Sequence, residues 1–146
     1  MHRYKTEATG RTAKIIGAVA VCILVFAGAA TAETLRFGAA LESEIAAMPK
    51  ATGRGSALLS VDTESKAVTW KVEHSGLATS PRALGCGVVD TPTPSILVTN
   101  NLASPISGSK TLTDPEIAAL KSGNWACVID TNGEEDAIGG VLHAAR

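Results

Sequence analysis

The sequence predicts an all-β domain, an antiparallel β-sandwich or flattened barrel, carrying one short helix. Apolar residues alternate with polar or small ones in several short runs, which is the period of a strand with one buried face. Brief polar, glycine-bearing or proline-bearing segments separate those runs, giving some seven or eight strands at the spacing of a sandwich or barrel. Only the stretch opening Thr113-Asp114-Pro115-Glu116 carries helix signals. No repeat of about 20–50 residues interrupts this pattern.

The first 32 of the 146 residues are of another kind. Arg3, Lys5, Arg11 and Lys14 make a basic start, Ile15 to Gly28 is apolar without a charge, and Ala30-Thr31-Ala32 ends the segment. That order is a secretory signal peptide with cleavage expected after Ala32. An uncleaved anchor is the alternative, because the apolar run extended to Ala32 reaches about the 18 residues that begin to permit a span. The small residues and the A-x-A site favour cleavage. Cys22 lies inside the run and leaves with it. No Arg-Arg pair is present, so general secretion is expected rather than twin-arginine export.

Residues 33–146 then form a single domain, expected in the periplasm or outside the cell. It holds 9 Lys/Arg and 13 Asp/Glu, a net charge near −4, with its basic residues scattered singly. A nucleic-acid footprint would need them clustered on one face, so nucleic-acid partners are excluded; a membrane is met only through the leader during export. The chain is 45% hydrophobic but only 3% aromatic, so its core must be mostly Ala, Val, Ile and Leu. Cys86 and Cys127 remain in a compartment that permits oxidation, and an even pair there reads first as a disulfide.

In chain order, Leu35, Phe37, Ala39 and Leu41 face one way on a first strand. A loop follows from Glu42 to Arg54, with Glu42 to Met48 able to form a helical turn. Ala57, Leu59 and Val61 mark a strand over Gly55 to Asp62, and Val68, Trp70, Val72 and His74 mark one over Val68 to His74. The short polar link Thr63-Glu64-Ser65-Lys66 makes them a hairpin. After Pro81, Ala83 to Val89 sets Leu84, Cys86 and Val88 on one face and Ala83, Gly85, Gly87 and Val89 on the other.

A proline-bearing loop, Asp90 to Pro94, leads to a short strand over Ser95 to Thr99, and Ile106 to Leu112 forms another. Thr113 and Glu116 have capping-box spacing and Pro115 suits a first helical turn. Gly123 stops the helix, which is expected over Asp114 to Ser122 with Ile117 and Leu120 buried. Trp125, Cys127 and Ile129 then face inward on a strand opposed by Ala126, Val128 and Asp130. Ala137 to Leu142 is the expected final strand.

Three segments, ATGRGSALLSVDTESKAVTWKVEHSGL, SPISGSKTLTDPEIAALKSGNWACV and AIGGVL, resemble in order and spacing the CHRD domain, a module named from chordin and also found in exported microbial proteins. The resemblance covers nearly all of residues 35–142. It implies a secreted, Greek-key-like β-sandwich similar in topology to copper/zinc superoxide dismutase. Members of that family commonly carry an Ala-His-Ile-His-Gly strand and, later, a Val-Asn-Val-His strand. The matching stretches here are Ala83-Leu84-Gly85-Cys86-Gly87 and Ala126-Cys127-Val128-Ile129, so Leu84, Cys86 and Ile129 stand where the family has histidine.

That departure changes the chemistry. Imidazole is the usual protein ligand for copper or zinc, and Leu and Ile bind no metal. The resemblance points both cysteines at the former ligand cluster, which implies a Cys86–Cys127 disulfide in its place. A two-cysteine metal site is the rival, but neither cysteine sits in a C-x-x-C pair and only His74 and His143 remain in the mature chain. The expectation is therefore no metal and no cofactor.

Asp130, Asn132, Glu134 and Asp136 offer oxygen ligands for a weak calcium site, although the stretch lacks the loop of an EF-hand and Asn132-Gly133 also reads as a solvated turn. No Gly-x-Ser-x-Gly elbow gives the histidines a nucleophile to activate; His74 is expected to be structural, and Trp70 and Trp125 to be core. The functional expectation is a non-catalytic structural or binding domain with an unidentified protein or envelope partner. A metalloenzyme of the dismutase type and a surface protein that self-associates through sheet edges are the alternatives.

Overall fold

The structure, a computed structural model, describes residues 31–43, 53–132 and 138–145. The expected leader lies outside these residues apart from Thr31 and Ala32, as do most of the 42–54 loop and the tip of the acidic turn. Among the described residues the elements are β1 (Thr34–Leu41), β2 (Arg54–Asp62), β3 (Ala67–Ser75), β4 (Pro81–Val88), β5 (Ile96–Val98), β6 (Ile106–Thr111), α1 (Asp114–Lys121), β7 (Trp125–Thr131), β8 (Ile138–Val141) and β9 (His143–Ala144). They form two antiparallel sheets, ordered β6-β3-β2-β1-β9 and β5-β4-β7-β8. The described residues form an all-β sandwich with one short helix.

Alternation builds the core. Phe37 and Leu41 of β1, Ala57, Leu59 and Val61 of β2, and Val68 and Val72 of β3 point inward from the larger sheet. Leu84 and Cys86, Ile96, Trp125, Cys127 and Ile129, and Ile138 meet them from the smaller one. Burying a Val, Leu or Ile side chain is worth about 1.5–3 kcal/mol, so this single cluster dominates the stability.

The β2–β3 hairpin forms as its sequence predicts. The Asp62 carboxylate accepts the Glu64 and Ser65 N–H groups at 2.9 Å each, and Lys66, at φ 63°, donates its N–H to the Asp62 carbonyl at 2.8 Å. The bonds from Ser65 and then Glu64 hold the Asp62 carboxyl below its ordinary range. Both ends of α1 also follow the sequence. Thr113 and Glu116 complete the capping box. At the other end Gly123 N–H reaches Leu120 O and Asn124 N–H reaches Ala119 O, a Schellman closure that needs the φ of 79° at Gly123.

Four expectations are corrected. Among the described residues there are nine strands rather than seven or eight, because His143-Ala144 pairs with β1 after the chain has changed sheets at the buried Leu142. Pro81 opens β4 instead of preceding it, beside a register shift between Pro81 and Ala83; a proline is accommodated at the first residue of a strand or at a bulge. Leu120 alone is buried on α1, with Ile117 half-covered. Trp125 is core, but Trp70 is only half-buried: its ring lies across Gly108 of the edge strand β6, where a Cβ would sit 2.4 Å from it.

The sheets meet along two seams. At one, β1 runs on to Glu42, which exchanges two backbone hydrogen bonds with Gly139 of β8 at 3.1 and 2.8 Å. Gly140 follows, packed so closely that a Cβ there would lie 2.1 Å from the Ala40 carbonyl oxygen. At the other, β5 and β6 are bridged by side chains: Lys110 donates to the Ser95 carbonyl, and Glu116 of α1 bonds the Ser95 hydroxyl. Lys66 adds an ion pair to Asp114 at 2.9 Å, tying the hairpin turn to the helix start.

Candidate functional site

The residues that the CHRD resemblance sets against histidines, Leu84, Cys86 and Ile129, come together on the inner face of the smaller sheet. β4 and β7 pair so that Leu84 faces Ile129 and Cys86 faces Cys127 directly. The next strands extend each row, Leu84 to Val98 and Cys86 to Ile96 on one side, Ile129 to Ile138 and Cys127 to Gly140 on the other. Cys86 and Cys127 are joined by a disulfide, their Cα atoms 4.1 Å apart. Leu84, Cys127 and Ile129 are 0% exposed and Cys86 is 1% exposed, so neither water nor a small reagent reaches this quartet.

Chemically the quartet is hydrocarbon around an oxidised sulfur pair. It contains nothing that titrates, since both thiols are consumed in the bond. Among the described residues no three His, Cys, Asp or Glu side chains gather where they could hold a metal ion. What the arrangement supplies is constraint. The disulfide closes a loop with a sequence separation of 41 residues, worth about 4 kcal/mol in the loop-entropy model.

The two histidines lie apart on the larger sheet. His74, half-buried on β3, donates Nε2–H to the Leu102 carbonyl at 2.7 Å, while its backbone N–H goes to the Ser104 hydroxyl at 3.0 Å. It thereby pins the loop before β6, a structural task. His143 is exposed on β9 opposite Gly38, with β1 and β2 between it and β3.

The calcium candidates are divided. Asp130 sits on β7 opposite Ala83 with Arg82 3.8 Å from its carboxylate, and the Asn132 N–H is committed to the Ser80 carbonyl at 3.1 Å. Glu134 and Asp136 lie outside the described residues.

Sequence reasoning did not single out the outer face of this sheet. Ala83, Gly85, Ala126 and Val128 floor a shallow depression of about 590 Å³, rimmed by Leu97 and Val141, which are 60% and 43% exposed. The signal was present in the alternation, which leaves small apolar residues on the second face of β4 and β7. Among the described residues no helix is long and apolar enough to cross a membrane. No family model, no curated protein and no solved structure matches the chain.

Proposed function

We propose that this chain is an exported, non-catalytic CHRD-type domain with a structural or binding role in the periplasm or outside the cell. The buried quartet Leu84, Ile129, Cys86 and Cys127 carries the reading. Catalysis or metal capture at those positions would need ligating or titratable side chains reachable from solvent, and hydrocarbon with a closed disulfide is neither. A buried disulfide fits an oxidising compartment. The basic, then apolar, then small-residue order of residues 1–32 supports delivery there, leaving 33–146 as the working domain.

The partner is a protein or envelope component, and neither nucleic acid nor a cofactor enters the role. Metal analysis and a superoxide-dismutation assay on the purified, oxidised protein test this reading. The expected result is copper and zinc far below one per chain with no dismutation. One bound metal per chain together with turnover would overturn it. N-terminal sequencing of the exported protein should begin at Glu33, and a pull-down from the native envelope fraction then asks for the partner directly.

A further inference from the structure

Every edge of a sheet is a template for another strand, and natural sheets guard their edges. Three of the edges here carry guards of their own. β5 has three residues and follows Pro94. β6 follows Pro105 and contains Lys110. β8 has four residues, of which Gly139 and Gly140 are two, and Glu42 already pairs with it. A short strand, a proline or an edge lysine each discourages augmentation.

β1 is built differently. Its eight residues, TLRFGAAL, include one charge and no proline, with Leu35, Phe37, Ala39 and Leu41 alternating. Low charge and absence of proline are two features of a segment that pairs with copies of itself, and β1 has both, while Gly38, Ala39 and Ala40 are weak strand formers. On this strand the guard is a separate piece of chain. The outward-facing backbone groups belong to the even-numbered residues, and the 139–145 segment takes them in turn. Gly139 meets Glu42, Gly140 covers the Ala40 carbonyl, His143 pairs with Gly38, and the Ala145 N–H bonds the Arg36 carbonyl at 2.8 Å. β9 itself is only two residues long and exposed, so the half of the guard over Arg36 and Gly38 is the weaker half.

We propose that His143–Ala145 is a releasable edge guard, and that the surface it covers, the Arg36–Gly38 edge of β1, docks against the same edge of a second copy of this chain. The contact is isologous, with a two-fold axis at Phe37. In that register Arg36 of each copy faces Gly38 of the other, which restores the backbone bonds given up by β9 and keeps the two arginines from facing each other. β8 stays in place, because Leu142 and Ile138 are buried. The inference depends neither on the family resemblance nor on export.

The full chain and a chain ending at Leu142 are compared by size exclusion with light scattering over a dilution series, with circular dichroism as the check on folding. The truncated chain is expected to show at least twice the mass of the full chain and to return toward it on dilution. Gly38→Pro added to the truncated chain removes an outward N–H and should restore the parent mass. A folded truncated chain with the parent mass overturns the proposal, as does self-association that Gly38→Pro leaves untouched. Should the truncated chain fail to fold, Ala145→Pro in the full chain decides. It keeps Leu142 in the core and deletes only the bond to Arg36, so a rise in mass supports the guard and an unchanged mass overturns it.

Discussion

Along β1 and β8 the two sheets are joined by main-chain atoms, whereas along β5 and β6 they are joined by the side chains of Lys110, Ser95 and Glu116 with α1 beside them. The first seam rests on two backbone hydrogen bonds and on a close approach that only glycine permits at position 140. The second rests on charged groups at the surface, the exposed Lys110 and the half-buried Glu116. Main-chain contacts depend on shape and hardly on charge, while exposed ion pairs and charge-assisted bonds are modest and respond to salt and acid. One sandwich therefore has a rigid side and a tunable side.

The disulfide offers the largest perturbation of this contrast. All three bridging residues of the tunable seam, Ser95, Lys110 and Glu116, lie in the chain between Cys86 and Cys127. Replacing both cysteines by alanine should cost about 4 kcal/mol in chemical denaturation. Hydrogen exchange should then accelerate in β5 and α1 more than in β1 and β8; equal acceleration at both seams would erase the distinction. Gly140→Ala attacks the rigid seam, where the new Cβ meets the Ala40 carbonyl. The expected loss is about 3 kcal/mol, as for overpacking that must move backbone.

Smaller effects belong to the tunable seam. Thr113→Ala removes the cap that presents Glu116 and should lower stability by about 1 kcal/mol in the same denaturation assay. The pH dependence follows from Glu116 itself. Burial alone would raise its carboxyl, but the Thr113 backbone N–H, the Ser95 and Thr113 hydroxyls and the charge of Lys110 outweigh that and hold it below its ordinary value of 4.5. The folded state therefore binds fewer protons here than the unfolded chain. The stability so contributed is fully present above the ordinary value and is lost as pH falls from there through the lower value of the folded state. Melting curves between pH about 6 and about 3 should show a downward trend that Glu116→Gln flattens in part, the remainder including Asp62, also held below its ordinary 3.8. Gly140→Ala should shift the whole curve without changing its slope.

The tunable seam was the more legible one. Its capping box, its proline at the first turn and the glycine stop are short-range chemistry, and Thr113, Glu116 and Gly123 announced them without knowledge of the rest. The β2–β3 hairpin was legible for the same reason. The rigid seam was not, because it depends on which strands become neighbours. Nothing local in His143-Ala144 marks a two-residue strand, and the demand at Gly140 comes from Ala40, far away in the chain. The half-exposure of Trp70 likewise depends on Gly108 arriving beside it. At the candidate site the inward alternation of Leu84, Cys86, Cys127 and Ile129 was readable, and so was the even pair of cysteines. Their direct opposition across β4 and β7 required the register.

The position of that bond also decides how the domain would answer a pull. Cys86 and Cys127 lie on adjacent strands and enclose β5, β6 and α1. Tension applied from the two ends of the domain passes from β4 to β7 through sulfur and never loads the enclosed chain. About 140 Å of contour, the reach of that 41-residue separation when extended, stays hidden from stretching while the bond is intact. Once load has unfolded the sandwich and opened the bond to solvent, reduction would release it, so the stretched domain has a short tether length in an oxidising medium and a long one in a reducing medium.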